Sequence, residues 1–137
     1  MNPIALPRRQ PFPMRRQLTQ TLGLPQGNLL LLLLHSPTCA HCQTIEAQLQ
    51  ERRSLWEAWG TQVAVLYEGT AGIVFPKAEA EIALLCLDFR GCFMDGWTLV
   101  HPDQVDWHEI EETVRWVAIQ EPECGTCSVD PGWEEKD

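Results

Sequence analysis

No apolar stretch of this 137-residue chain approaches the ~20 residues that a helix needs to cross a bilayer, so no membrane role is expected. Glycine-rich loops of the kind that cradle phosphates or dinucleotides are missing, which argues against an organic cofactor. Internal repeats are not visible either. Positive charge is scarce: ten Lys and Arg against nineteen Asp and Glu leave a net charge of -9, which argues against a nucleic-acid surface. Acids are themselves absent from the front end. The first is Glu46, behind Arg8, Arg9, Arg15 and Arg16, whereas residues 121–137 hold six acids against Lys136. The apolar run that could pass for a secretory core starts only at residue 29, behind several prolines, and is shorter than such cores usually are. A cytoplasmic protein, its thiols reduced between turnovers, is therefore expected. Six cysteines are too few for a disulfide framework in a chain this long. An apolar content of 45% with 21% charged residues fits one globular domain with a single core.

Against these absences stands Asn28-Leu-Leu-Leu-Leu-Leu-Leu34, followed by His35-Ser-Pro-Thr-Cys39-Ala-His-Cys42. Six leucines in a row suit a central strand buried on both faces. Pro37 lacks an amide hydrogen and stops the strand. After the two cysteines the periodicity changes: Ile45, Leu49, Leu55, Trp56 and Trp59 fall near helical spacing. Strand, tight turn, Cys-x-x-Cys and helix form a redox arrangement with a physical basis. A helix N-terminus offers unpaired amides and partial positive charge, which stabilise a thiolate on the first cysteine. Two other readings of the pair are buried structural cysteines and half of a metal site.

The segment Ser36-Pro-Thr-Cys39-Ala-His-Cys42 after a leucine strand resembles the active-site segment of the thioredoxin superfamily. Its Cys-x-His-Cys form is similar to that of protein disulfide isomerases and bacterial disulfide oxidases. The resemblance implies a thioredoxin-like α/β fold: a three-layer α/β/α sandwich around a mixed sheet of about four strands, closing with a β-hairpin and a helix. It spans about Arg16 to Gln120 and implies a thiol-disulfide oxidoreductase acting on protein disulfides. Cys39 attacks, Cys42 resolves the mixed disulfide, and His41 between them stabilises the thiolate, on the oxidising side of thioredoxin. Pro37 and Thr38 flank the nucleophile and are implied in substrate binding. So is Ala83, which aligns with the family's substrate-docking cis-proline and departs from it. The family's buried acid, six residues before the first cysteine, is here Leu33, with His35 a candidate replacement. A peroxidatic Thr-x-x-Cys is absent. Partners implied are protein disulfides and a protein electron donor or acceptor, for a monomer or homodimer. Without the proline, zinc or iron capture by a Cys-x-x-Cys pair becomes easier.

The rest of the chain reads as follows. Residues 1–15, with Pro3, Pro7, Pro11 and Pro13, form an extended Pro/Arg-rich arm, solvated or partly docked. The domain proper covers 16–120. Arg15 to Leu22 can form a first helix, stopped by Gly23 and Pro25. The helix after Cys42 ends at Gly60. Strands are expected at Gln62–Tyr67 and Ile82–Leu87, with one helical turn from Pro76 between them. Asp88-Phe-Arg-Gly91 is a type I turn. The return strand runs from Cys92 or Phe93 to Val100, with Asp95-Gly96 a bulge or second turn. Asp106 is the N-cap of a last helix carrying Ile110, Val114, Val117 and Ala118 on one stripe, with Glu109 as its capping-box partner.

Residues 121–137 form an acidic tail containing a second pair, Cys124-Gly-Thr-Cys127. It is a second redox pair, half of a zinc site or inert. About fifteen helical residues carry the chain ~22 Å from the pole bearing Cys39, and four further residues return at most ~14 Å. A single-chain tetrathiolate of both pairs is thus disfavoured. Cys92, beyond the hairpin turn, is expected near Cys124 and Cys127, away from Cys39. Cys86, in mid-strand, is expected to be core.

Overall fold

The structure is a computed structural model. It describes residues 1–12, 23, 27–68, 77–78 and 80–127, except for side chains from 120 onward. Two short strands open the chain, β1 (Asn2–Pro3) and β2 (Gln10–Pro11), followed by the leucine strand β3 (Asn28–Leu34). Helix α1 (Ala40–Ala58) leads into β4 (Thr61–Tyr67). Strands β5 (Ile82–Leu87) and β6 (Cys92–Leu99) form the hairpin. A 3-10 turn (Pro102–Gln104) precedes α2 (Trp107–Cys127). None of the helices is long and apolar enough to cross a membrane among the described residues.

Six strands join one mixed sheet in the order β1-β6-β5-β3-β4, with β2 also on β6. The leucine strand lies in its middle, parallel to β4 and antiparallel to β5, and all of it is buried. Its side chains alternate between two apolar clusters, as the two-residue strand repeat requires. Leu30, Leu32 and Leu34 face α1 and α2, packing with Cys42, Ile45, Leu49, Trp56, Ile110, Val114 and Val117. Leu29, Leu31 and Leu33 face the other way, with Leu85, Phe93 and Phe12. Each large apolar side chain buried in this way contributes about 1.5–3 kcal/mol relative to exposure.

The sheet departs from the one expected from the sequence in its strand count. The sheet has six strands rather than about four, because the arm supplies two. Both described helices lie on one face, while Ile4, Leu6 and Phe12 of the arm pack on the other. A third, helical layer is therefore not seen among the described residues. The expected helix at Arg15 to Leu22 and the turn from Pro76 fall outside them. The arm docks by backbone bonds: the amides of Ile4, Arg9 and Phe12 donate to the carbonyls of Gly96, Phe93 and Gly91 at 2.9, 2.7 and 3.0 Å. Arg8 adds an ion pair to Asp95 at 3.0 Å.

The punctuation follows local chemistry. Gly60, at φ +89°, ends α1 in the left-handed conformation that glycine adopts without strain. Asp88 accepts from the amides of Arg90 and Cys92 at 2.9 and 3.0 Å, and Gly91 closes the turn at φ +81°. Cys86 pairs with Asp95 but Leu87 with Phe93, so Met94 is the extra residue of a bulge. Asp106 caps α2 by accepting from the Glu109 amide at 3.1 Å.

Register also fixes the two ends of the sheet. Leu33 lies opposite Ala83, and Ile82 opposite Leu99, so β3, β4 and β6 all end at the pole that bears Cys39. The hairpin turn and Cys92 lie at the opposite pole.

Candidate functional site

The turn between β3 and α1 is held open by its own side chains. Ser36 Oγ accepts from the Thr38 amide at 3.2 Å and shares a hydrogen bond with Thr38 Oγ1 at 2.9 Å. Gln43 Nε2 donates to the Pro37 carbonyl at 3.0 Å, tying the first turn of the helix back to the loop. Pro37 and Thr38 are exposed. Cys39 occupies the N-cap with extended backbone (φ -73°, ψ 126°), and no side chain caps the helix in its place. Its sulfur thus stands where the unpaired amides of the first turn converge.

Both thiols are free, their sulfurs 3.5 Å apart. Their surroundings differ. Cys39 is half-buried, and hydrogen bonding from the Cys42 amide holds it below the usual thiol range. Burial opposes this, while the Cys42 thiol and the His41 amide reinforce it. Cys42 is fully buried, and burial pushes its thiol up despite the amides of Ser36 and His35, with the neighbouring Cys39 adding to the rise. The pair is therefore polarised: the accessible thiol is the more acidic of the two and the hidden one the less.

His35, half-buried directly after β3, completes a cluster. One ligating atom each from His35, Cys39 and Cys42 lies within 4.8 Å of the others, close enough to bind a metal ion. His41 does not belong to this cluster. Its exposed ring packs at 4.5 Å from that of His101, tilted by 49°, so it acts on Cys39 through its amide rather than its imidazole. His101 is itself engaged, its Nδ1 accepting the Asp103 amide at 3.1 Å.

One expectation is corrected here. Ala83 is completely buried, on the face that carries Leu33 and Leu85 rather than the face of Cys42, so it offers no surface to a substrate. Leu33 also points away from α1. The β3 positions on the dithiol's face are Leu32 and Leu34, both aliphatic, so the strand supplies no acid to Cys42. A carboxylate does stand one helical turn beyond Cys42. Glu46 Oε1 accepts from the Tyr67 hydroxyl at 2.8 Å at the end of β4. That bond, burial, and the negative charge of Glu46 and Cys42 push the phenol up. Sequence reading missed this pair. Its signal was the four-residue spacing of Glu46 from Cys42, which puts both on one side of the helix.

The remaining cysteines lie apart. Cys86 and Cys92 are buried, and Cys92 opens β6 at the pole opposite Cys39. Cys124 and Cys127 belong to the last turns of α2, and their side chains lie outside the described residues. No protein-family model matches the chain, and no curated protein matches it.

Proposed function

We propose that the chain is a thiol-disulfide oxidoreductase of the thioredoxin type, working on protein disulfides in the cytoplasm through Cys39 and Cys42. The observation that carries this reading is the polarised pair: an accessible Cys39 made more acidic, 3.5 Å from a buried Cys42 made less so. Cys39 Sγ attacks one sulfur of a substrate disulfide, and the other sulfur leaves as a thiolate and takes a proton from water. Cys42 then loses its proton and attacks Cys39 Sγ, closing the Cys39–Cys42 disulfide and releasing the second substrate thiol. Two electrons pass to the substrate, and a protein dithiol must return them. Exposed Pro37 and Thr38, with Val100 exposed at the same pole, supply the docking surface.

The test is reduction of insulin by dithiothreitol. Wild type accelerates it, Cys39→Ser abolishes the acceleration, and Cys42→Ser accumulates a mixed disulfide. Equal rates with wild type and Cys39→Ser would leave a redox-inactive interaction domain in its place. The His35–Cys39–Cys42 cluster favours a second reading, a metal-binding or redox-sensing module holding zinc or iron.

A further inference from the structure

The distances within the His35 cluster fit a bound ion. A disulfide requires its sulfurs at about 2.05 Å, so the thiols at 3.5 Å must close by roughly 1.5 Å to oxidise. A tetrahedral zinc ion with Zn–S near 2.3 Å and Zn–N near 2.0 Å sets its sulfurs about 3.8 Å apart and each nitrogen-sulfur edge near 3.6 Å. The sulfurs already stand close to that edge, and no pair of ligating atoms exceeds 4.8 Å. The imidazole needs to approach by only about 1 Å, within reach of side-chain rotation. The ligands also come from relatively fixed backbone, the end of the central strand and the first turn of α1.

We propose that His35, Cys39 and Cys42 form a three-ligand zinc site whose fourth position opens to solvent on the side of Cys39. Metal occupancy and dithiol exchange exclude each other there. The donor set selects zinc-like ions, since two thiolates and an imidazole are soft to borderline ligands and two thiolate charges balance a divalent cation. Three protein ligands leave one coordination place vacant, as in reactive rather than structural zinc centres. Binding involves no electron transfer. The ion takes up both sulfurs as thiolates and the neutral imidazole, and releases to solvent whatever protons the two thiols still carry. A bound ion then occupies the lone pair with which Cys39 attacks a disulfide, so zinc silences the exchange and its removal restores it. This inference rests on the reading of Cys39 and Cys42 as a reactive dithiol, and its test is independent of turnover.

Cobalt(II) is the probe, titrated anaerobically into reduced full-length protein with Cys124 and Cys127 changed to serine, so that the second pair adds no signal. One equivalent should produce thiolate-to-cobalt charge-transfer absorption and the visible bands of a tetrahedral ion, both displaced by zinc. His35→Ala should weaken cobalt binding at least ten-fold while its urea midpoint stays close to that of the parent. Stoichiometric zinc should slow alkylation of Cys39 at least ten-fold in the parent and far less in His35→Ala. Absence of the charge-transfer band, or equal cobalt affinity with and without His35, overturns the proposal. Insulin reduction in the presence of a chelator is unaffected by either outcome, so the two readings fail separately.

Discussion

Cys86 and Cys39 are chemically identical side chains with opposite fates. Cys86 is completely buried in the helix-facing cluster, and burial, reinforced by Asp95 and Asp88, pushes its thiol up from 9.0 to about 12. Below pH 9 it is protonated in both folded and unfolded chains and contributes no pH dependence. Above that, the unfolded thiol ionises while the folded one does not, so stability falls as pH rises from 9 towards 12. The expected slope is up to about 1.4 kcal/mol per pH unit from this residue. Urea midpoints measured between pH 8 and 10.5 check it: Cys86→Ala lowers stability overall but flattens the alkaline decline. Which thiol would be acidic was readable in the sequence for Cys39, because the cause is local: a helix start immediately after a strand. The meeting of His35 with the two sulfurs, and of Glu46 with Tyr67, depends on how β3, α1 and β4 are set against one another. Composition and spacing do not carry that arrangement. The contact of the His41 ring with that of His101, sixty residues away, is likewise a matter of tertiary placement.

The long strands were legible mainly as short apolar runs and both described helices through helical spacing, but β1 and β2 were not legible. Two-residue strands rest on backbone bonds, and Pro3 and Pro11 read as breakers although each can accept a bond at a sheet edge. The bulge in β6 was legible as an irregularity at Asp95-Gly96, though its extra residue is Met94. What Gly96 does was not. A Cβ there would stand 2.9 Å from the Phe93 ring, 3.0 Å from the Leu84 carbonyl and 3.1 Å from Ile4. The carbonyl belongs to a paired strand and cannot retreat, so Gly96→Ala pushes the arm and the β5–β6 ladder apart. A loss of about 1–3 kcal/mol is expected on overpacking grounds. Urea unfolding reads the loss, and faster amide exchange at Ile4 and Arg9 locates it.

Across the whole molecule, the arm converts a free sheet edge into a covered one. An uncovered β6 would present unpaired amides and carbonyls to any other strand. Removing residues 1–12 should therefore leave a chain that self-associates through β6, seen as a concentration-dependent shift on size exclusion. A truncated chain that remains monomeric at every concentration would show that the arm is dispensable for this purpose.

Order of synthesis gives that arrangement a cost. Asn2 pairs with Thr98, and the first amine donates to the Gln104 carbonyl, 103 positions further on. Synthesis makes the arm long before the strand it pairs with, and contacts so distant along the chain slow folding. Until β6 (Cys92–Leu99) has been made, β1 and β2 have no partner strand. Whatever chaperone attends this protein at birth meets those residues before their strand exists.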